Sequence, residues 1–416
     1  MKTLIISLTC VVALAASAGS AAENELKAKL PEIFSKAAEH YRALDAAATP
    51  LEHSETEVGS GWERSHYLVP HGDKYRKTGK HELDMRTIFW WTAGHYPGSL
   101  WYLYEATGDG FFKDRAKFWT ETLAPNSRVT TNHDIGFIMY CSYGNARRIL
   151  KTDEYDALLK ETADSLCQRF NPGLGVIRSW GDKNDKKHFL VIPDNMMNLE
   201  LLEAATRLMG GDQRFDEIAR SHADKSMINH FRQDGGCYHV LDYDQRPGFL
   251  GSVQSIDRGQ GRSCTSAWSR GQSWGIYGFT MMYRFTNDGK YLAFAKKLAD
   301  YFMNHENMPE DGVPYWDFGA PGEERDTSAA AVTASALVEL SGYLPPEEGA
   351  KYRAFAVKQL LALASPAYFS EGDESCHWLL KHGVGHKPGN SEVDTPLDYG
   401  DYYYLEALLR FRDSSK

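Results

Sequence analysis

The sequence predicts an all-α chain closed into a ring, an (α/α)6 barrel of six inner and six outer helices. Three observations predict it. One type of segment, rich in small and apolar residues and opened by a Gly, Pro, Asp or Arg turn, returns six times along the chain. Amphipathic stretches charged on one face alternate with these segments. No run of apolar–polar alternation is long enough for a core sheet. A helix apolar nearly all round belongs inside a larger assembly, and one-faced helices cover it.

The inner segments start near residues 97, 134, 194, 270, 326 and 398. The first carries Gly98, Leu100, Trp101 and Leu103, and the second runs from Asp134 to Leu150. In the third, Pro193 disfavours helical geometry at Ile192, and Asp194 is suited to an N-cap ahead of Met196, Met197, Leu199, Leu201 and Leu202. The fourth opens at Arg270, the fifth at Asp326 with its alanine run, and the sixth at Asp398 with a run of tyrosines. Outer helices are expected over 112–123, 155–170, 214–231, 291–304 and 351–364, where apolar positions recur every three or four residues. Gly136, Gly275, Gly278, Ala329, Ala330 and Ala331 let the inner helices pack closely. The repeat averages roughly 60 residues, longer than familiar solenoid periods, and an open α-solenoid is the alternative to a closed ring. No linker-like sequence divides the chain, so 23–416 reads as one catalytic domain.

Composition narrows the partners. A chain of 416 residues with 42% hydrophobic content is ample for a large core. A net charge of -10 argues against nucleic acid, and leaves any acidic ligand to be held by local Arg or Lys. Ten Trp and 23 Tyr offer many flat faces for sugars. Met1, Lys2 and Thr3 precede an apolar run from Leu4 to Ala18, with small-residue cleavage sites at Ala16-Ser17-Ala18 and Ser20-Ala21-Ala22. Residues 1–22 therefore read as a secretory signal peptide, too short for a membrane span. The expected destination is the periplasm or the medium, with no membrane partner after cleavage. Five cysteines remain beyond the leader, an odd and widely spaced set that does not form a disulfide scaffold or a zinc site.

If the inner helices share one direction, Asp134, Asp194, Arg270, Asp326 and Asp398 rim one cavity. Neighbouring inner axes lie ~8–10 Å apart, so Asp134 and Asp194 can reach one sugar ring. Two nearby carboxylates push one pKa upward, which leaves one of them an acid near neutral pH. The competing reading is two independent helix caps. The 260–275 loop adds Gln260, Trp268, Arg270, Gln272 and Trp274 around one helix start. An Arg fork matches a carboxylate and Trp faces match sugar faces, although core packing alone also accounts for Trp274.

Five motifs then resemble glycoside hydrolase family 88, the unsaturated glucuronyl hydrolases. They are Trp91-Thr92-Ala93-Gly94-His95-Tyr96-Pro97-Gly98, His133-Asp134-Ile135-Gly136-Phe137, Asp194-Asn195-Met196-Met197-Asn198, Trp268-Ser269-Arg270-Gly271-Gln272-Ser273-Trp274 and Asp326-Thr327-Ser328-Ala329. The resemblance implies an (α/α)6 barrel that hydrates the C4=C5 vinyl ether of an unsaturated uronic acid at the non-reducing end of glycosaminoglycan fragments made by lyases. It implies Asp194 as the acid, Asp134 as its support, and His133 against the sugar. It also implies His239, Gln260, Trp268, Arg270 and Trp274 lining the subsite, with Trp91 and Trp180 stacking. Lys387 and Ser391 would meet a sulfate at the distal sugar. The partner is an oligosaccharide bearing an unsaturated uronic acid, and neither a metal nor another cofactor is expected. Gly259 stands where some relatives carry His, and His239 is matched only across a loop of variable length. The related unsaturated rhamnogalacturonyl hydrolases of family 105 and a non-catalytic glycan-binding barrel are the alternatives.

Overall fold

The computed structural model describes the backbone of residues 2–58 and 65–414. Side chains are described from Ala21 onward, apart from 54–65, Arg76, Asp373 and the last two residues. The leader expected over 1–22 thus lies almost wholly outside the described side chains.

The fold is the (α/α)6 barrel. Helix α1 (Lys2–Ala48) is an outer helix that the sequence reading did not single out. Leu26, Leu30, Ile33, Phe34, Ala37, Tyr41 and Leu44 bury one stripe of it at helical spacing. Strands β1 (His53–Val58) and β2 (Ser65–Asp73), the single turn α2 (Tyr75–Thr78) and β3 (Leu83–Thr87) follow, the strands forming an antiparallel sheet in that order. Next come α3 (His95–Thr107, inner) and α4 (Gly110–Thr122, outer). The second inner helix is α5 (Ile135–Met139), continued through a π-turn at Tyr140–Gly144 into α6 (Asn145–Leu150). Helix α7 (Asp156–Cys167) covers it, and β4 (Phe170–Asn171), β5 (Val176–Ile177) and β6 (Leu190–Val191) lead to the inner α8 (Asn195–Arg207). The outer α9 (Gln213–Asn229) is followed by β7 (Val240–Tyr243) and β8 (Val253–Asp257), which join β6 in a small sheet. Helices α10 (Ser269–Thr286, inner), α11 (Gly289–Asn304, outer), α12 (Thr327–Gly342, inner) and α13 (Pro346–Leu363, outer) complete the alternation. The hairpin β9 (Gly383–His386) and β10 (Ser391–Thr395) precedes the last inner helix, α14 (Asp398–Ser414).

Each inner helix touches the next, and α14 packs back on α3, so the ring closes. The two mouths differ in kind. Inner-to-outer connections are short and end on left-handed residues such as Gly108, Lys151 and Asn287. The outer helices α4, α9 and α11 then start on Asp109, Asp212 and Asp288, whose carboxylates accept backbone N–H groups two residues on. Most outer-to-inner connections are long and carry the strands. The mouth that receives the inner N-termini therefore holds the loops, the usual place for function on a rigid scaffold.

The core between the layers is aromatic. Trp101, Trp119, Tyr96 and Tyr291 are fully buried, each contributing about 1.5–3 kcal/mol or more by area removed from water. Inside the ring, Glu406 of α14 accepts hydrogen bonds from Tyr102 (2.9 Å), Tyr277 (3.0 Å) and Ser335 (2.6 Å), tying three other inner helices to the last. The five cysteines among the described residues are free.

Candidate active site

The close approach of α5 and α8 sets the site. Gly136 has Asn198 against it, and a Cβ there would lie 2.5 Å from the Asn198 Oδ1 atom. That contact lets the Phe137 N–H donate to Asn198 Oδ1 at 2.8 Å while Asn198 Nδ2 donates to the Asp194 carbonyl. Two helix starts are thus locked side by side, and Asp134 and Asp194 stand at them. The competing reading of both as helix caps does not hold, because neither carboxylate accepts an N–H of its own helix. Asp326 is the contrasting case, with its carboxylate accepting from Ser328 and Ala329 as a cap.

Both uncapped carboxylates are held toward their protonated forms. Burial pushes Asp134 up to about 7, with Arg169 opposing. Burial pushes Asp194 up to about 6; the charge of Asp134 adds to the rise, and His133 and Arg270 oppose it. Asp134 keeps 19% of its side chain exposed, whereas Asp194 is 7% exposed and its Oδ2 has no hydrogen-bond partner. His133 places Nε2 3.2 Å from Asp134 Oδ1, is anchored by its N–H to the Ser179 carbonyl, and is kept neutral by burial, its pKa pushed down to about 4.

The opposite wall comes from the β7–β8 hairpin and the start of α10. The Gln260 N–H donates to His239 Nδ1 at 2.7 Å, so that nitrogen is an acceptor and the proton of the neutral ring sits on Nε2. Nε2 faces Asp194 Oδ2 across 4.0 Å and has no hydrogen-bond partner. Trp268 lies against the His239 ring with centroids 4.4 Å apart. Gly259 adopts φ 50°, and a Cβ there would fall 2.1 Å from His239 Nδ1. Gly259 is therefore coupled to the position of His239: with this backbone, no side chain fits at 259.

Arg270 is fully buried and almost saturated. Its terminal nitrogens donate to Asp326 (3.3 Å), Gln260 Oε1 (3.1 Å), and the carbonyls of Val384 and Gly385, leaving only Nε unpartnered. It stacks over Trp268 and Tyr399 at 4.4 and 5.2 Å. Its geometry is that of a strut between α10, α12 and the β9–β10 hairpin, with a single N–H left for a ligand.

The remaining expected residues divide. Trp91 is half-buried against Tyr399 and Phe137, and Trp180 keeps 38% exposure in the loop beside Ser179. Trp274, expected on the rim, has no exposed surface and packs between Phe137 and Tyr403 in the inner aromatic layer, so it offers no open ring face. Lys387, expected to meet a sulfate, is already paired with Glu324 and lies 3.9 Å from Glu323. Ser391 is half-buried at the start of β10, opposite His386. Asp398, expected on the rim, faces His71 instead.

Two features escaped the sequence reading. Tyr399 is buried beside Arg270 and Trp91 with its hydroxyl unpartnered; the only signal was its place in the last inner helix. His71 is held by Glu392 (2.8 Å) and Thr92 (2.8 Å), with Asp398 at 3.6 Å. These contacts link β2, β10 and α14, and no spacing in the sequence marks them. Among the described residues no group of three or more His, Cys, Asp or Glu is placed to hold a metal ion.

With this geometry in hand, comparison with known proteins gives consistent results. No family model matches the chain. It is 43% identical over 327 residues to an unsaturated glucuronyl hydrolase of Formosa agariphila, covering 77% of this chain and 79% of that protein. It is 36% identical over 331 residues to an unsaturated chondroitin disaccharide hydrolase of Streptococcus pyogenes, covering 77% and 81%. Among solved structures it matches an unsaturated glucuronyl hydrolase specific for heparin with a TM-score of 0.80, at 38% identity, covering 92% of this chain and 97% of the other.

Proposed function

Since this chain belongs to the unsaturated glucuronyl hydrolases and is a glycoside hydrolase, we propose that Asp194 and Asp134 together carry its reaction. The substrate is a disaccharide or short oligosaccharide, cut by a lyase from a glycosaminoglycan and ending in a 4,5-unsaturated uronic acid. Asp194 gives its proton to C4, and positive charge develops across C5 and the ring oxygen. The carboxylate so formed stabilises that charge and then accepts a proton from the water that attacks C5. The net addition of water places H on C4 and OH on C5. The resulting hemiketal opens to a C5 ketone, and the acetal carbon C1, now a hemiacetal, collapses to an aldehyde and releases the adjoining sugar.

The observation that carries this reading is the pair of uncapped carboxylates, one at about 6 and one at about 7, with an unpartnered oxygen of Asp194 turned toward His239. With values of about 6 and about 7, the two carboxyls together hold roughly one proton between those values. His133 and neutral His239 orient the sugar hydroxyls, Trp91 and Trp180 stack on its faces, and Arg270 offers its Nε–H. A non-catalytic barrel has no use for two carboxylates held above their ordinary range. The names of the relatives favour glycosaminoglycan fragments over those of pectin lyases.

The test is a panel of sulfated and unsulfated unsaturated disaccharides, with a rhamnogalacturonan fragment as control. Loss of the ultraviolet absorbance of the conjugated double bond, abolished in Asp194→Asn, is the expected result. Binding with unchanged absorbance would assign the chain to the glycan-binding alternative. The leader-like sequence over 1–22 supports export as part of the same proposal. N-terminal sequencing of the secreted protein, expected to begin after Ala18 or Ala22, checks it.

A further inference from the structure

We infer that the barrel holds a second ligand site, at the mouth opposite Asp134 and Asp194, and that it takes a neutral pyranose. A cavity of about 630 Å³ lies inside the ring, reaching from Phe137 and Met197 in the first turns of α5 and α8 to Phe285 near the end of α10, walled between them by Tyr102, Tyr140, Tyr277 and Tyr402. That volume lies within the range of small-molecule sites. A plug of side chains divides it from the two aspartates: Phe137 touches Trp274 at 5.4 Å, and Trp274 touches Tyr403 at 5.5 Å.

The backbone is built around this cavity. The π-turn at Tyr140–Gly144 interrupts the second inner helix here, and Tyr140, Cys141 and Gly144 all line the space. A π-turn adds a residue to the helix and loosens its hydrogen bonds, so such turns are concentrated at functional positions. Side chains compensate for part of the loss: Ser142 Oγ donates to the Ile138 carbonyl (2.6 Å) and Asn145 Nδ2 to the Cys141 carbonyl (2.9 Å). The Tyr140 ring folds over Gly144, where a Cβ would lie 2.7 Å from it.

The electrostatics select the ligand. Four arginines and four carboxylates line the cavity. Arg148 pairs with both oxygens of Glu105 at 2.7 Å, Arg284 with Glu200 at 2.5 Å, and Arg410 with Glu406 at 3.3 Å. The lining arginines and carboxylates are equal in number, Glu339 behind Arg284 and Arg410 adds one more negative charge, and the carbonyl ends of the inner helices likewise disfavour an anion. What is left is a set of flat tyrosine faces, and carboxylate oxygens with spare lone pairs for hydroxyl donors. A pyranose without charge presents the matching features, an apolar face and a ring of hydroxyl groups. This inference does not rest on the reaction proposed for the opposite mouth.

Met197 lines the cavity, and Leu208, 51% exposed, stands at its opening, where it also borders an adjoining groove with Arg147 and Lys151. Full-length enzyme labelled with ¹³C at its methionine methyl groups is titrated with N-acetylglucosamine, glucose and glucuronate, and the Met197 signal, assigned through Met197→Leu, is followed by NMR. Saturable shifts with the two neutral sugars and none with glucuronate are expected. Leu208→Trp, which obstructs the opening, should weaken binding at least about tenfold with kcat unchanged, and Tyr140→Ala should weaken it similarly. Absence of a saturable Met197 shift, an equal response to glucuronate, or indifference to both substitutions would overturn the inference.

Discussion

Asp109, Asp212, Asp288 and Asp326 cap their helices, each carboxylate accepting at least one backbone N–H of the helix it starts. Asp134 and Asp194 stand at similar positions without those bonds, and burial lifts both. In sequence the two kinds look alike, an Asp before an apolar run, so residue type and spacing alone could not separate them. The family motifs pointed to Asp134 and Asp194, and the missing cap bonds are what distinguishes these two from the capping aspartates. Asp194→Asn is expected to lower kcat by about 10³-fold or more with the circular dichroism spectrum unchanged. Stability gives a second readout. A carboxyl whose folded pKa is raised binds its proton more tightly in the native state, so stability falls as pH climbs from the unfolded value of ~3.9 through the folded value. For Asp134 that folded value is about 7. Asp134→Asn should therefore be more stable than the wild type by on the order of 1–3 kcal/mol at ~pH 8, and lose that advantage toward ~pH 4. Denaturant melts at the two pH values check the sign.

At the scale of elements, the inner helices were legible because apolar residues on every face leave few other places for them. The starts expected at 134, 194, 270, 326 and 398 fall within a residue of the observed ones, and the first helix begins at His95, two residues before Pro97. The rim strands were not legible. Most have two to five residues, too few for a period-two pattern, and β2 reaches nine as part of a small peripheral sheet. What fixes the rim is a set of long-range polar contacts. Arg270 joins α10 to Asp326 and to the carbonyls of β9, and the Arg270–Asp326 pair is buried on both sides. Arg270→Ala leaves Asp326 without that partner. It is expected to cost about 3–5 kcal/mol of stability as well as kcat/KM, a combination a pure substrate contact would not give. His71 belongs to the same layer. Burial alone would lower its pKa, but Glu392 and Asp398 raise it to about 10. Burial raises Asp398, while Glu392 is held near 2 against its own burial by His71, with Arg86 and Arg270 adding. The native state thus keeps a proton on His71 that the unfolded chain releases near ~6.5. The stabilisation is complete below that value and is lost as pH rises through about 10. Thermal melts of wild type and His71→Gln should differ most on the acid side of neutrality and converge toward pH 10.

Across the whole molecule, the six returns of one segment type pointed to a ring, but only contact between the last inner helix and the first distinguishes a ring from an open solenoid. That contact is made by Tyr102 of α3 with Tyr402 (3.1 Å) and Glu406 (2.9 Å) of α14. The outer layer was incomplete in the sequence reading because α1 continues the apolar run over 4–18, which masks its amphipathic stripe. Glu406 binds α3, α10 and α12 to α14 at once, so Glu406→Ala should cost about 3–5 kcal/mol and lower Tm for the whole barrel in a single transition. The ring also brings two helix starts, 134 and 194 in the chain, side by side, and the reaction proposed above depends on how the protons are shared between them. The pH profile of kcat/KM on an unsaturated chondroitin disaccharide measures that sharing directly. Its maximum should lie between the values of about 6 and about 7 held by the pair, fall on both sides, and vanish in Asp194→Asn. A profile flat from ~pH 5 to 8, or near-normal turnover in Asp194→Asn, would contradict it.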